Sequence, residues 1–64
     1  MANRWRKAQR NGNRQARIKE AADGRWLVQF GGLDGAWYWG VRQECSSYFE
    51  AAQEVRAWIN GGAA

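Results

Sequence analysis

The sequence contains no histidine, no proline and a single cysteine. Without histidine there is no Ser-His-Asp or Cys-His arrangement and no His-containing metal site. One cysteine excludes an intramolecular disulfide framework and a Cys-rich zinc site. No apolar run of about seven or more residues follows the basic N-terminus, so a secretory signal is not expected. Nothing approaches the roughly 20 apolar residues of a membrane span. Asp34, Glu44, Glu50 and Glu54 are the only acids beyond the first hairpin. They form no nucleophile–base pair or metal cluster, so neither an enzyme nor a cofactor is expected. The lone Cys45 fits a reducing, cytoplasmic setting and is expected to be a small buried hydrophobe near a helix start.

What is present is basic and aromatic. The chain has 64 residues, ten Lys and Arg against six Asp and Glu, and five Trp. A chain of this size holds one small domain and buries only about 60% of the surface its unfolded form exposes. Charge is unevenly spread: residues 1–19 hold seven basic side chains and no acid, whereas residues 20–64 hold three basic against six acidic. A polyanion would therefore meet the N-terminal third first, unless acids and bases separate onto different faces.

Three strands and one helix follow from the patterning. Residues 1–13 are polar and basic, with Asn11-Gly12-Asn13 as a breaker, and read as a flexible arm. From Arg14 to Lys19, polar and apolar residues alternate as in a strand. Asp23-Gly24 carries the signal of a two-residue hairpin turn. Arg25 to Phe30 reads as a second strand with Trp26, Val28 and Phe30 on one face. Gly31 to Gly35 reads as a longer turn, and Ala36 to Arg42 as a third strand with Trp37, Trp39 and Val41 on one face. Ser47 followed by Glu50 is a capping box. Tyr48, Ala51, Ala52, Val55, Trp58 and Ile59 then recur at helical spacing, and Asn60-Gly61 supplies the stop.

The expected fold is therefore α+β (β-β-β-α). Residues 14–60 form the domain, a three-stranded antiparallel sheet covered on one face by a single C-terminal helix. The basic flexible arm precedes it, and residues 61–64 form a disordered tail. Trp26, Val28, Phe30, Trp37, Trp39 and Val41 are expected beneath the helix. Arg17, Lys19, Arg25, Gln29, Tyr38 and Arg42 are expected together on the open face. Arg and Lys suit phosphates and guanine edges, and Gln suits adenine edges. Arg4, Arg6, Lys7, Arg10 and Arg14 of the arm add phosphate contacts, and Trp5 either packs onto the sheet as a lid or stacks on a base.

Two resemblances accompany this reading. Gly24-Arg25-Trp26 in a strand and Phe49-Glu50-Ala51…Trp58 in the closing helix resemble the N-terminal arm-site DNA-binding domain of tyrosine recombinases (phage integrases). They also resemble the DNA-binding domain of plant ethylene-response factors. The likeness spans roughly residues 14–60 and implies DNA binding through the sheet face by Arg17, Lys19, Arg25, Gln29 and Arg42. The arm is similar in composition to the arginine-rich RNA-binding peptides of lambdoid phage antiterminators. The function expected from the sequence is a small cytoplasmic accessory or regulatory protein, phage- or mobile-element-encoded, that binds nucleic acid, duplex DNA ahead of RNA. The alternatives are RNA binding through the arm alone, or docking on a host protein as an inhibitor or adaptor. A monomer or weak dimer is expected, without membrane association.

Overall fold

The turns decide how many strands this chain makes. In the computed structural model, which describes residues 4–61, four strands and one helix follow in order: β1 (Gln9–Asn11), β2 (Arg14–Glu20), β3 (Trp26–Asp34), β4 (Ala36–Cys45) and α1 (Tyr48–Ile59). They form one antiparallel meander, β1-β2-β3-β4, with the helix on one side. The fold is α+β with a C-terminal helix, as the sequence suggests, but the sheet has four strands rather than three.

The additional strand comes from the segment read as a flexible arm. Gly12, at φ +63°, occupies the first central position of a two-residue turn between Asn11 and Arg14. That backbone conformation is readily open to glycine, and a first-position glycine is the mark of one of the favoured hairpin turns. The Asn-Gly-Asn breaker is thus a hairpin tip. Arg6 N donates to Ile18 O at 2.8 Å, carrying the chain along β2 ahead of β1. The parts of the expected arm and tail at residues 1–3 and 62–64 lie outside the described residues.

Two other turns differ from the simplest reading. At Asp23-Gly24 the loop has three residues between the Ala21 N to Arg25 O bond (2.6 Å), and Gly24 N donates to Ala21 O at 3.1 Å. Only Gly24, not Asp23, has positive φ, as in a type I turn closed by a glycine bulge. Between β3 and β4 the tip shrinks to Gly35, because Gly31 to Asp34 belong to the strand. Gly31 is there for closeness: a Cβ on it would run into the Tyr38 carbonyl oxygen and press Gln15 Nε2.

A register shift between Gln29 and Gly31 places one extra β4 residue opposite β3: Gln29 pairs with Arg42 but Gly31 with Trp39. Such a bulge exchanges the two faces of the strand beyond it. Directly paired residues share a face, so Trp37 and Trp39 join Gln15, Arg17, Gln29 and Arg42 on the open side. Tyr38 lies on the helix side, opposite Gly32. The expected placement of Trp37 and Trp39 under the helix and Tyr38 on the open face is therefore reversed.

The core lies between β2, β3 and α1. Ala16, Ile18, Val28, Cys45, Ala51 and Val55 are buried, with Trp26, Phe30, Trp58 and Ile59 packed around them. Trp26 meets Tyr48 edge to face at 5.1 Å, and Phe30 meets Trp58 at 5.5 Å. Ser47 caps α1 by accepting from Glu50 N at 3.1 Å. The Glu50 carboxylate returns to Ser46, accepting from its N at 2.7 Å and its Oγ at 2.9 Å. The box thus closes one residue earlier than the usual reciprocal pair.

Two outcomes test this packing. Gly31→Ala is expected to lower stability by about 1–3 kcal/mol, read as a lower denaturant midpoint, because the obstacle is backbone. The second concerns pH. The backbone and hydroxyl of Ser46 hold the Glu50 carboxyl below its ordinary value. A depressed carboxylate stabilises the fold fully above its unfolded pKa, about 4.3, and that contribution is lost as pH falls through the lower folded value. The melting temperature is expected to fall through this acidic window in the wild type, and E50Q is expected to lose that part of the fall.

Candidate nucleic-acid interface

The open face is built as a layer of amides beneath a layer of cations and indoles. Gln15 on β2 and Gln29 on β3 are 1% and 7% exposed. A buried amide must find partners for both its ends. Gln29 Nε2 donates to Gly40 O at 3.1 Å, and Gln15 Nε2 donates to Tyr38 O at 2.7 Å. Both amides thereby hold the backbone of β4 near its bulge. Their oxygens turn to arginine. Arg17 Nε and Nη2 donate to Gln29 Oε1 at 3.0 and 2.6 Å, and Arg10 Nε donates to Gln15 Oε1 at 3.1 Å.

Each guanidinium so held also meets an indole. Arg17 lies 4.0 Å from the centroid of Trp39 and 4.4 Å from that of Trp5. Arg10 lies 4.2 Å from that of Trp37. Lys19 Nζ is 4.8 Å from the Trp5 ring, and the Arg42 guanidinium 5.9 Å. The same unit therefore occurs twice: buried amide, arginine, tryptophan. Cation–π contacts are worth about 0.5–2 kcal/mol each, more as water is excluded. Gly31 lies between Gln15 and Trp39 by register on this face.

Charge on this face is left unbalanced. Among the described residues, the only ion pairs are those of Arg25, with Glu44 at 2.9 Å and Asp23 at 3.4 Å. Arg10, Arg17, Lys19 and Arg42 have no carboxylate partner there. Burial, and then the Arg42 charge, push the Arg17 guanidinium down from its ordinary value. Arginine does not give up its proton in the physiological range, so Arg17 remains a cation held close to other cations. Two of its five N–H donors go to Gln29, and the others are free of protein partners among the described residues.

Of the residues singled out by the sequence, Trp5, Arg10, Arg17, Lys19, Gln29 and Arg42 gather here. Arg25 is at the end of the same face, neutralised by its acids. Arg4 and Lys7 are exposed. Arg6, Arg14 and Tyr38 belong to the other side. Arg6 lies 5.4 Å from the Trp26 ring and 5.5 Å from Tyr48. Arg14 covers Trp58 at 4.2 Å and donates through Nη1 to Trp58 O at 3.2 Å, beside Asn11 Nδ2 to Ile59 O at 3.0 Å. Asn11 meets a carbonyl near the end of α1, and Arg14 adds a side-chain donor to Trp58 O, which Gly61 N also reaches at 3.2 Å, so Arg14 serves the fold. Gln29, expected to read base edges, has both ends of its amide engaged inside the protein.

Simple alternation misplaces Trp37 and Trp39, whereas it does set Gln15 beside Arg17 and Lys19. The available signal was Gly40 in the middle of a strand, where a glycine marks a bulge. Among the described residues no group of three or more His, Cys, Asp or Glu is placed to hold a metal ion. No helix among them is long and apolar enough to cross a membrane. Cys45 is buried, and burial, followed by Glu50 and Glu54, pushes its thiol pKa up, away from the reactive thiolate.

If Gln29 holds Arg17 as described, the two side chains act as a pair. Gln29→Leu is expected to cost about 1–3 kcal/mol by stranding Gly40 O and the guanidinium. In a double-mutant cycle with Arg17→Leu, measured by urea denaturation, the losses are expected to fall short of additivity by about 0.5 kcal/mol or more. Compared with protein-family models, with curated proteins and with solved structures, the chain finds no match.

Proposed function

We propose that this protein binds nucleic acid through the open face of its sheet. The observation that carries the reading is the grouping of Arg10, Arg17, Lys19 and Arg42 on one face without a carboxylate partner among the described residues. Cations crowded in this way repel one another, and a polyanion removes that cost while releasing its own counterions. The buried amides and indoles hold Arg10 and Arg17 in fixed orientations, so less freedom is lost when their remaining N–H groups meet phosphate. Glu50 and Glu54 are on α1, across the sheet. The resemblance to recombinase arm-site domains implies the same face, although the fourth strand departs from their three-stranded pattern. An accessory or regulatory role in the cytoplasm, phage- or mobile-element-borne, fits a single basic domain with one buried free thiol.

A second reading has one observation in its favour. Phe30, Gly31, Tyr38, Gly40, Val41 and Trp58 line a groove of about 220 Å³ on the helix side. Val41 is 72% exposed there, beside the unpaired outer edge of β4. An apolar groove next to a free strand edge suits docking on a protein. Tyr38→Ala would impair such docking and leave nucleic-acid binding intact.

Fluorescence anisotropy of labelled oligonucleotides, at about 50 and 200 mM salt, tests the proposal. Micromolar or tighter binding that weakens steeply with salt is expected. Lys19→Gln and Arg42→Gln should each weaken it and lower the log–log salt slope by about 0.7–0.9. Arg25→Gln, whose charge is already matched, should change neither. No binding to single strand or duplex at the lower salt would overturn the proposal.

A further inference from the structure

Resting on that proposed function, we infer that the preferred ligand is single-stranded nucleic acid rather than a duplex. The inference departs from the duplex expected from the sequence, and what separates the two ligands is chemical. A duplex presents phosphates and groove edges, with its base faces stacked away. A single strand presents phosphates and the flat faces of its bases.

The open face matches the second description. It carries three indoles, Trp5, Trp37 and Trp39, all half-buried, interleaved with Arg10, Arg17, Lys19 and Arg42. Leu27 and Leu33 share it by register, and Leu33 is 41% exposed. An unstacked base gains from flat apolar and guanidinium surfaces of this kind, whatever its identity. Trp37 with Arg10, and Trp39 with Arg17 and Trp5, already form layers that a base extends.

Reading of adenine edges in a groove lacks its usual tool, a free amide. The two amides on the face, Gln15 and Gln29, are buried and spend both ends on Arg10, Arg17 and the β4 backbone. No free amide is therefore left among them for an adenine edge. Half-sunken indoles on a sheet also do not project into a groove as long polar side chains do. The arrangement is suited to binding with little base preference, because stacking and phosphate contacts are sequence-tolerant.

The test uses the whole protein with labelled oligo-dT, oligo-U and a mixed-sequence duplex of equal length, by anisotropy at about 50 mM salt and by quenching of intrinsic Trp fluorescence. Single strands are expected to bind at least about tenfold more tightly than the duplex, within the range that stacking one base is worth. They are also expected to quench Trp emission. The ratio of oligo-U to oligo-dT distinguishes RNA from DNA as the source of the strand. Trp37→Leu, if its circular dichroism is native, should lose about tenfold for single strands and little for the duplex. If that variant does not fold, quenching of the wild type decides. Equal or tighter binding to the duplex, or single-strand binding without quenching, overturns this inference and leaves the proposed function standing. Failure to bind either ligand overturns both.

Discussion

A single buried amide joins the two halves of this structure. Gln29 donates to Gly40 O at the bulge of β4 and accepts from Arg17. The first bond holds the place where β4 changes faces. The second fixes a guanidinium between Trp39 and Trp5. Without the bulge, Trp37 and Trp39 would turn toward the helix, and the open face would be a plain row of cations. Without the amide, Arg17 would be a flexible chain in water, as most surface arginines are. Gln15 repeats the device one row along, with Tyr38 O and Arg10. The chemistry of the face thus depends on backbone geometry that lies beneath it.

The same architecture resolves the uneven charge of the sequence. A chain whose first 19 residues are uniformly basic would repel itself if those residues were spread around a small sphere. The sheet instead sorts them. Arg6 and Arg14 cover aromatic rings at the two ends of α1, and Arg14 also satisfies a helix carbonyl. Arg10, Arg17 and Lys19 point the other way and meet Arg42 from β4. Alternation along β1 and β2 separates Arg10, Arg17 and Lys19 from Arg14. The price is a cluster of like charges on the open side, which π-faces temper but do not neutralise.

The helix, its caps and three of the four strands are legible in local sequence pattern. Ser47, Glu50 and the apolar repeat of α1 act locally, so local pattern suffices to read them. So do Trp26, Val28 and Phe30, which lie on a regular stretch of β3. What was hidden arises from non-local geometry. Asn11-Gly12-Asn13 reads as a breaker, and only the presence of β2 as a partner makes it a hairpin tip. Gly31-Gly32 reads as a turn, yet these residues are strand because β4 approaches closely at Tyr38. The faces of Trp37, Tyr38 and Trp39 were misread because one extra residue at the bulge inverts the count. Arg17, Lys19 and Arg42 were placed correctly, since they lie on the regular side of it or beyond it.

Of the five tryptophans, only Trp26 and Trp58 pack against the core on the helix side. The fully buried hydrophobics on the helix side are small or medium: Ala16, Ile18, Val28, Cys45, Ala51 and Val55. The other three tryptophans build a second layer on the opposite face, where arginine stems and guanidinium planes cover the rings that a second helix would otherwise cover. The sheet is thus packed on both sides, once by apolar contact and once by cation–π contact. Residues that bind a ligand are usually separable from those that stabilise a fold. Under the proposed function Arg17 and Trp39 would belong to both sets, because the layer proposed to face the ligand is also the lid of the sheet. Under the proposed function, a polyanion that bound this folded arrangement more tightly than the unfolded chain would relieve the repulsion within that lid and raise stability with binding.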